Sequence, residues 1–179
     1  MSNHYIDEGL VLKKVIIGER DVMLTILSKT KGKLEIRAFG VKKITSRRIG
    51  HLETGNYIKF ILSNRGDRLA LGETELLWGY SNIKDSKLKM EFLYLLFTIL
   101  NKILPIEQSE QSAFELVLDY LKKLNGDSNA DGERLDTTLK TLLLSLGYID
   151  NKTAYLPLFN PVSFVEDLVN QKINKNYLR

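Results

Sequence analysis

Val22-Met23-Leu24-Thr25-Ile26-Leu27, Thr30-Lys31-Gly32 and Leu34-Glu35-Ile36-Arg37-Ala38-Phe39 follow one another in the stretch that decides the fold. Two β-rich runs flank a short turn, and Gly32 supplies the backbone freedom that a tight hairpin needs. In the second run Leu34, Ile36 and Ala38 alternate with Glu35, Arg37 and Phe39. One face is therefore expected to be buried, and the other, carrying Arg37 and Phe39, to be presented to solvent or ligand. Working outward, a run over 9–17 precedes the hairpin, and runs over 57–63 and 68–76 follow it, joined by the turn Asn64-Arg65-Gly66-Asp67. The longest break is the basic connection over 41–54.

Three strands, a longer crossing and then a hairpin are the order of the OB-fold, a small barrel that closes its own edges. From Asp85 the period becomes helical. Asp85 or Ser86 can cap a helix through Leu88, Phe92, Leu95, Leu96, Ile99 and Ile103, which Pro105 stops. A second helix runs from about Ser109 to Asn125-Gly126, a third from about Glu133 to Leu146, and a fourth starts at Asn160-Pro161, an N-cap followed by Pro at the first helical position. The expected architecture has two domains: an N-terminal all-β OB-fold barrel at 1–80 and a C-terminal all-α helical domain at 81–179.

The 179 residues are 44% hydrophobic and 27% charged, the composition of a globular chain. With no Cys, a disulfide framework, a Cys-based zinc site, an iron–sulfur cluster and a cysteine nucleophile are all excluded. Met1-Ser2-Asn3-His4-Tyr5 lacks the basic patch and apolar stretch of a secretion signal, so the chain is expected to stay where it is made, in the cytoplasm. The most apolar segment, 92–104, is too short to cross a bilayer and reads as a core helix.

Charge is unevenly spread. The net +4 divides into +5 over residues 1–80 and −1 over 81–179. Between Lys29 and Arg48, eight cations (Lys29, Lys31, Lys33, Arg37, Lys42, Lys43, Arg47 and Arg48) face one acid, Glu35, an excess of +7. Such a density repels itself unless an anion neutralises it, and a polyanion gains by releasing counterions when it does so. Nucleic acid is the natural ligand; a solvated, Lys-rich surface loop is the plainer reading. Phe39 and Tyr57 have outward parity and are the candidates for stacking on bases, whereas Phe60 shares parity with Ile58 and Leu62 and belongs to the core.

Catalysis finds little support. His4 and His51 read as surface or turn residues with no partner at nucleophile–base spacing. Glu73 and Glu75 share a strand face near Asp67 and could hold Mg²⁺ for phosphodiester cleavage, or serve only as solubilising charges. Gly18, Gly32 and Gly40 match neither a Walker loop nor a dinucleotide fingerprint. No cofactor and no metal is expected.

The run Gly18-Glu19-Arg20-Asp21, then Leu24-Thr25-Ile26-Leu27-Ser28, then Gly32-Lys33, and then Gly40-Val41-Lys42-Lys43 with Ser46-Arg47 resembles, in order and spacing, the N-terminal domain of the RecO recombination-mediator family. Ser28 stands where that family usually has Thr. Leu146-Gly147-Tyr148 is similar to the family's "LGY" after its third long helix. The resemblance covers about residues 9–77 well and the helical remainder more loosely. It implies a bacterial, nucleoid-associated protein that binds single- and double-stranded DNA and anneals complementary strands. With RecR it would help load RecA onto DNA coated by single-strand binding protein (SSB), whose C-terminal tail is a further partner. No enzyme activity and no membrane are implied.

Carried over by position, Lys42, Lys43 and Arg47 fall in the family's basic segment and Lys33 in its hairpin; Lys29, Lys31, Arg37 and Arg48 join them on charge alone. Many relatives insert a four-Cys zinc module after "LGY", where this chain has a short Cys-free loop over 149–159, so no zinc is expected. The family's "Q-P-F" before the fourth strand is replaced by Glu53-Thr54-Gly55. Two other readings stay open: an RNA-binding OB module of translation or ribosome assembly, and a metal-dependent nuclease using Asp67, Glu73 and Glu75.

Overall fold

The computed structural model describes residues 4–19, 21–40, 48–65, 68–128 and 131–173. Five strands, β1 (His4–Ile17), β2 (Asp21–Ser28), β3 (Gly32–Ala38), β4 (Tyr57–Arg65) and β5 (Arg68–Trp78), close into a barrel of order β1-β2-β3-β5-β4. All neighbours are antiparallel except β3 and β5, which meet in parallel at Arg37 and Ala70. This is the OB-like arrangement that the order of runs implies.

β1 starts earlier than the sequence suggests. Its first half pairs with β4, from His4 opposite Ser63 to Leu10 opposite Tyr57, and its second half pairs with β2. The early residues escape a pattern search because their polarity is reversed: Asp7 is buried, 5% exposed, while Ile6 is 60% exposed. Past them, a register shift at Leu12 lets the strand turn the barrel's corner, and Leu10, Val11 and Leu12 are buried in succession, which a regular two-residue alternation forbids.

Inside the barrel, Val11, Val22, Leu24, Ile26, Leu34, Ile36, Ala38, Ile58, Phe60, Leu62 and Leu71 form one cluster, closed by Leu52. Leu52 comes from the connection between β3 and β4, directly after the single-turn helix α1 (Arg48–His51). The buried Asn56 amide donates to the Gly50 and His51 carbonyls at 2.9 and 3.0 Å, satisfying acceptors that the short helix leaves over. His51 is not a free turn residue: its Nδ1 lies 3.0 Å from the Thr74 carbonyl and 3.1 Å from the Thr74 hydroxyl, tying α1 to β5.

The chain separates into two compact units, Met1–Gly79 with Leu104–Gln111, and Tyr80–Ile103 with Ser112–Arg179. The excursion 104–111 serves the barrel. Among the described residues β3 pairs with β5 at Arg37 and Ala70, at the end of β3 away from the hairpin. Near the hairpin Ile106 bridges Lys33, and the Glu107 amide donates to the Lys33 carbonyl at 2.8 Å.

The second unit contains α2 (Ser81–Lys84), α3 (Lys87–Ile103), α4 (Gln111–Gly126), α5 (Gly132–Ser145), α6 (Asn151–Ala154) and α7 (Pro161–Leu168). Ser86, Asp131, Asp150 and Asn160 accept backbone N–H groups at the starts of α3, α5, α6 and α7. Leu146-Gly147-Tyr148 ends α5 in a Schellman cap: Tyr148 N–H reaches the Leu143 carbonyl at 2.9 Å and Gly147 N–H the Leu144 carbonyl at 3.1 Å. Gly147 holds φ at 75°, a conformation that a side chain would strain. The Tyr148 hydroxyl then donates to the Ile103 carbonyl at 2.6 Å, capping the end of α3. As expected of a core helix, α3 buries Leu93, Leu96, Phe97, Ile99, Leu100 and Ile103. Among the described residues no helix is long and apolar enough to cross a membrane.

Candidate nucleic-acid interface

The tip of the β2–β3 hairpin, Lys29-Thr30-Lys31, is built on a buried carboxylate. Asp7 of β1 accepts the Ser28 hydroxyl, the Thr30 hydroxyl at 2.9 Å and the Glu8 amide at 2.8 Å. Ser28 Oγ in turn accepts the Lys31 amide at 2.9 Å and the Thr30 amide at 3.3 Å. Short hydroxyl side chains beside a turn are suited to this task because they satisfy the loop's own N–H groups. The tip is thereby fixed to β1, and the two lysines that it carries are held at the barrel's rim.

Around that rim the side chains interlock. Lys31 Nζ lies 4.2 Å above the Tyr5 ring, and the Tyr5 hydroxyl is 2.5 Å from Thr30 Oγ1. Lys29 Nζ is 3.2 Å from Glu8 Oε2, which also accepts the Tyr57 hydroxyl at 2.5 Å. The Tyr57 hydrogen bond holds the Glu8 carboxyl below the usual carboxylate range; partial burial opposes this, and the ammonium groups of Lys29 and Lys59 reinforce it. Lys59, exposed on β4, is the cross-strand partner of Glu8. Two cations and one tyrosine thus meet at the Glu8 carboxylate, while Lys31 and Tyr5 pair beside Thr30.

Six residues further along, roughly 20 Å at strand rise, lies a second group. Arg37 donates to Asp21 Oδ2 through Nε at 3.1 Å and Nη2 at 2.6 Å, and its guanidinium carbon sits 4.7 Å from the centre of the Phe39 ring. Asp21 Oδ1 accepts the Gly40 amide at 2.9 Å.

The structure thus divides the residues singled out by sequence. Lys29, Lys31 and Tyr57 share the hairpin rim; Arg37 and Phe39 share the far end of β3. Lys33 corrects the expectation of an open outer face. It is 7% exposed, and Thr25 and Leu27, on the same parity of the paired strand, are 6% and 0% exposed. Burial pushes the Lys33 ammonium pKa down, against the pull of Glu35. Alternation gives a side chain's direction but not whether that face is covered. Lys42, Lys43 and Arg47 lie outside the described residues, and Arg48 is described only as backbone of α1.

Asp67 also lies outside the described residues. Glu73 and Glu75 are exposed and line a cavity of about 260 Å³ with Ile6, Lys59, Phe60, Ile61 and Thr74. Among the described residues no group of three or more His, Asp or Glu is placed to hold a metal ion. Sequence reasoning passed over Asp7, Tyr5, Glu8, Asp21 and Lys59. For Asp21 the signal was present, since it is the last residue of the quoted Gly18–Asp21 motif; Asp7 and Glu8 precede the first recognised run.

A closed five-stranded OB-like barrel with cations and aromatics at its rim, followed by a helical unit, is the class of protein that these observations define. Residues 1–77 match the family model "Recombination protein O N terminal". Among curated proteins, DNA repair protein RecO of Acetivibrio thermocellus is 23% identical over 146 residues, which cover 82% of this chain and 58% of that protein. The protein of the same name from Pelotomaculum thermopropionicum is 26% identical over 145 residues, 80% of this chain and 56% of its own. That from Myxococcus xanthus is 30% identical over 123 residues, 68% and 50%. The chain therefore spans between half and three-fifths of the length of these relatives. It belongs to the RecO family.

Proposed function

We propose that this chain acts in DNA repair and recombination as a mediator without covalent chemistry. It binds single- and double-stranded DNA and anneals complementary strands. With RecR it assists the loading of RecA on DNA coated by SSB, in the cytoplasm and on the nucleoid. The observation that carries this reading is the rim of the family-matched barrel, where Lys29, Lys59 and Tyr57 meet at Glu8 and, at the same hairpin tip, Lys31 lies over Tyr5. Cations meet phosphates, rings offer faces to unstacked bases, and neutralised phosphates let two strands approach closely enough to pair.

Titrating a fluorescent single-stranded oligonucleotide at several salt concentrations tests the reading. Four to six phosphate contacts give a slope of about −3 to −4 in log K against log salt. The variant K42A/K43A/R47A/R48A removes most of that slope and slows annealing in parallel. A flat salt response, or annealing that the quadruple variant leaves at the wild-type rate, refutes the proposal. Pull-downs with RecR and with the SSB tail peptide test the partners, and matched DNA and RNA strands in competition test the polymer, since a protein that reads the 2′-OH prefers RNA.

A further inference from the structure

One carboxylate holds the Arg37 side chain and the peptide that follows Phe39. Asp21 Oδ2 binds Arg37 along the edge of its guanidinium, through Nε and Nη2, and Asp21 Oδ1 binds the amide of Gly40, the peptide that immediately follows Phe39. Arg37 and Phe39 are stacked, with 4.7 Å from guanidinium carbon to ring centre, and Arg37 keeps 37% of its side chain exposed. Edge-on binding by a carboxylate leaves both faces of a planar guanidinium for stacking. Phe39 lies against the guanidinium, and more than a third of the Arg37 side chain stays open to solvent.

We propose that Asp21 is a positioning residue that makes Arg37 and Phe39 a single nucleobase-stacking surface. This rests on the DNA-binding reading above and deepens it by assigning this end of β3 to bases rather than phosphates. Arg37 is already neutralised by Asp21, so it is a poor counter-ion for a phosphate, whereas a held guanidinium plane is a stacking partner for any base. By charge alone, Asp21 would repel a nucleic acid. The two predictions therefore have opposite signs: if Asp21 acts only as a charge, its removal tightens binding; if it positions the stack, its removal weakens binding to bases.

The test compares two labelled strands of equal length, oligo-dT and an oligomer of abasic sites, on wild type, D21A, F39L, the double variant D21A/F39L and E35Q, which makes the same charge change as D21A from an exposed position on β3. D21A is expected to weaken oligo-dT binding at least fivefold, roughly the low end of one stacked base, while leaving the abasic strand unchanged or tighter. F39L gives the same base-dependent loss, the double variant is no worse than either single one, and E35Q tightens both strands. If D21A tightens both strands as E35Q does, or weakens both equally, the proposal falls while the DNA-binding reading stands. Wild-type protein that binds neither strand overturns both.

Discussion

Replacing Gly32 with Ala attacks the hairpin and the 104–111 strap at one atom. Gly32 has φ of 73°, and a Cβ placed on it would stand 1.7 Å from the Gln108 carbonyl oxygen and 2.5 Å from its carbon. The left-handed conformation costs a residue with a Cβ about 1–2 kcal/mol. No rotamer relieves the clash, because the obstructing atoms are backbone, so the strap must move away from β3. That breaks the hydrogen bond from Glu107 N–H to the Lys33 carbonyl, worth about 0.5–1.5 kcal/mol, and uncovers the edge of β3. The expected loss is about 1.5–3.5 kcal/mol.

Gly18 provides the control. Its φ is 65°, yet nothing lies within 4 Å of the position its Cβ would take, so G18A carries the conformational cost alone. Urea unfolding of the two variants should differ by at least about 0.5 kcal/mol. Amide exchange reads the strap directly: Glu107 N–H loses protection in G32A and keeps it in G18A. Equal destabilisation of the two variants, with Glu107 still protected in G32A, would refute the claim that the strap is packed on the hairpin.

Two further outcomes follow from the rim and the face behind it. The carboxyl of Glu8 is depressed from 4.5 chiefly by Tyr57, so its contribution to stability is present above pH 4.5 and fades as pH falls through the lower folded value; Y57F should raise that value and shift the acid limb to higher pH. An NMR titration in which Glu8 is unmoved by Y57F would contradict this. Lys29→Ala should reduce the salt slope of single-strand binding by about 0.7, whereas Lys33→Met, at a position 7% exposed, should leave the slope unchanged; equal effects would mean that the burial of Lys33 has been misread.

The barrel was legible because its middle strands obey short-range rules. Leu34, Ile36 and Ala38 alternate with polar neighbours, and Gly32 marks the turn, so order and parity follow from local chemistry. What was not legible depends on partners distant in the chain. Asp7 is buried because Ser28 and Thr30, more than twenty residues away, come to hydrogen-bond it; beside Ile6 it merely looks like a broken pattern. Ile106 lies just past Pro105, where the helical pattern stops, and no local signal marks it as the residue that bridges Lys33. The four residues of α1 are too few to display a helical period, and what secures them is the side chain of Asn56.

The cation count needs the same correction, in a direction that bears on function. The window from Lys29 to Arg48 holds eight cations and one acid, but among the described residues folding brings Glu8 from β1 onto Lys29 and Asp21 from β2 onto Arg37, so two of these cations meet carboxylates from outside the window. The two pairs are not equivalent. Lys29 and Glu8 keep 50% and 34% of their side chains exposed, a pair that contributes little and that a phosphate can displace; Arg37 and Asp21, at 37% and 17% with two nitrogens on one oxygen, form the stronger pair. Lys29 thus remains available to a polyanion while Arg37 is committed to Asp21 and Lys33 is buried. A slope near −3 to −4 fits a surface depleted in this way, whereas seven free cations on a single strand would give about −5. The strength of the salt response therefore measures how much of the basic segment folding has already neutralised.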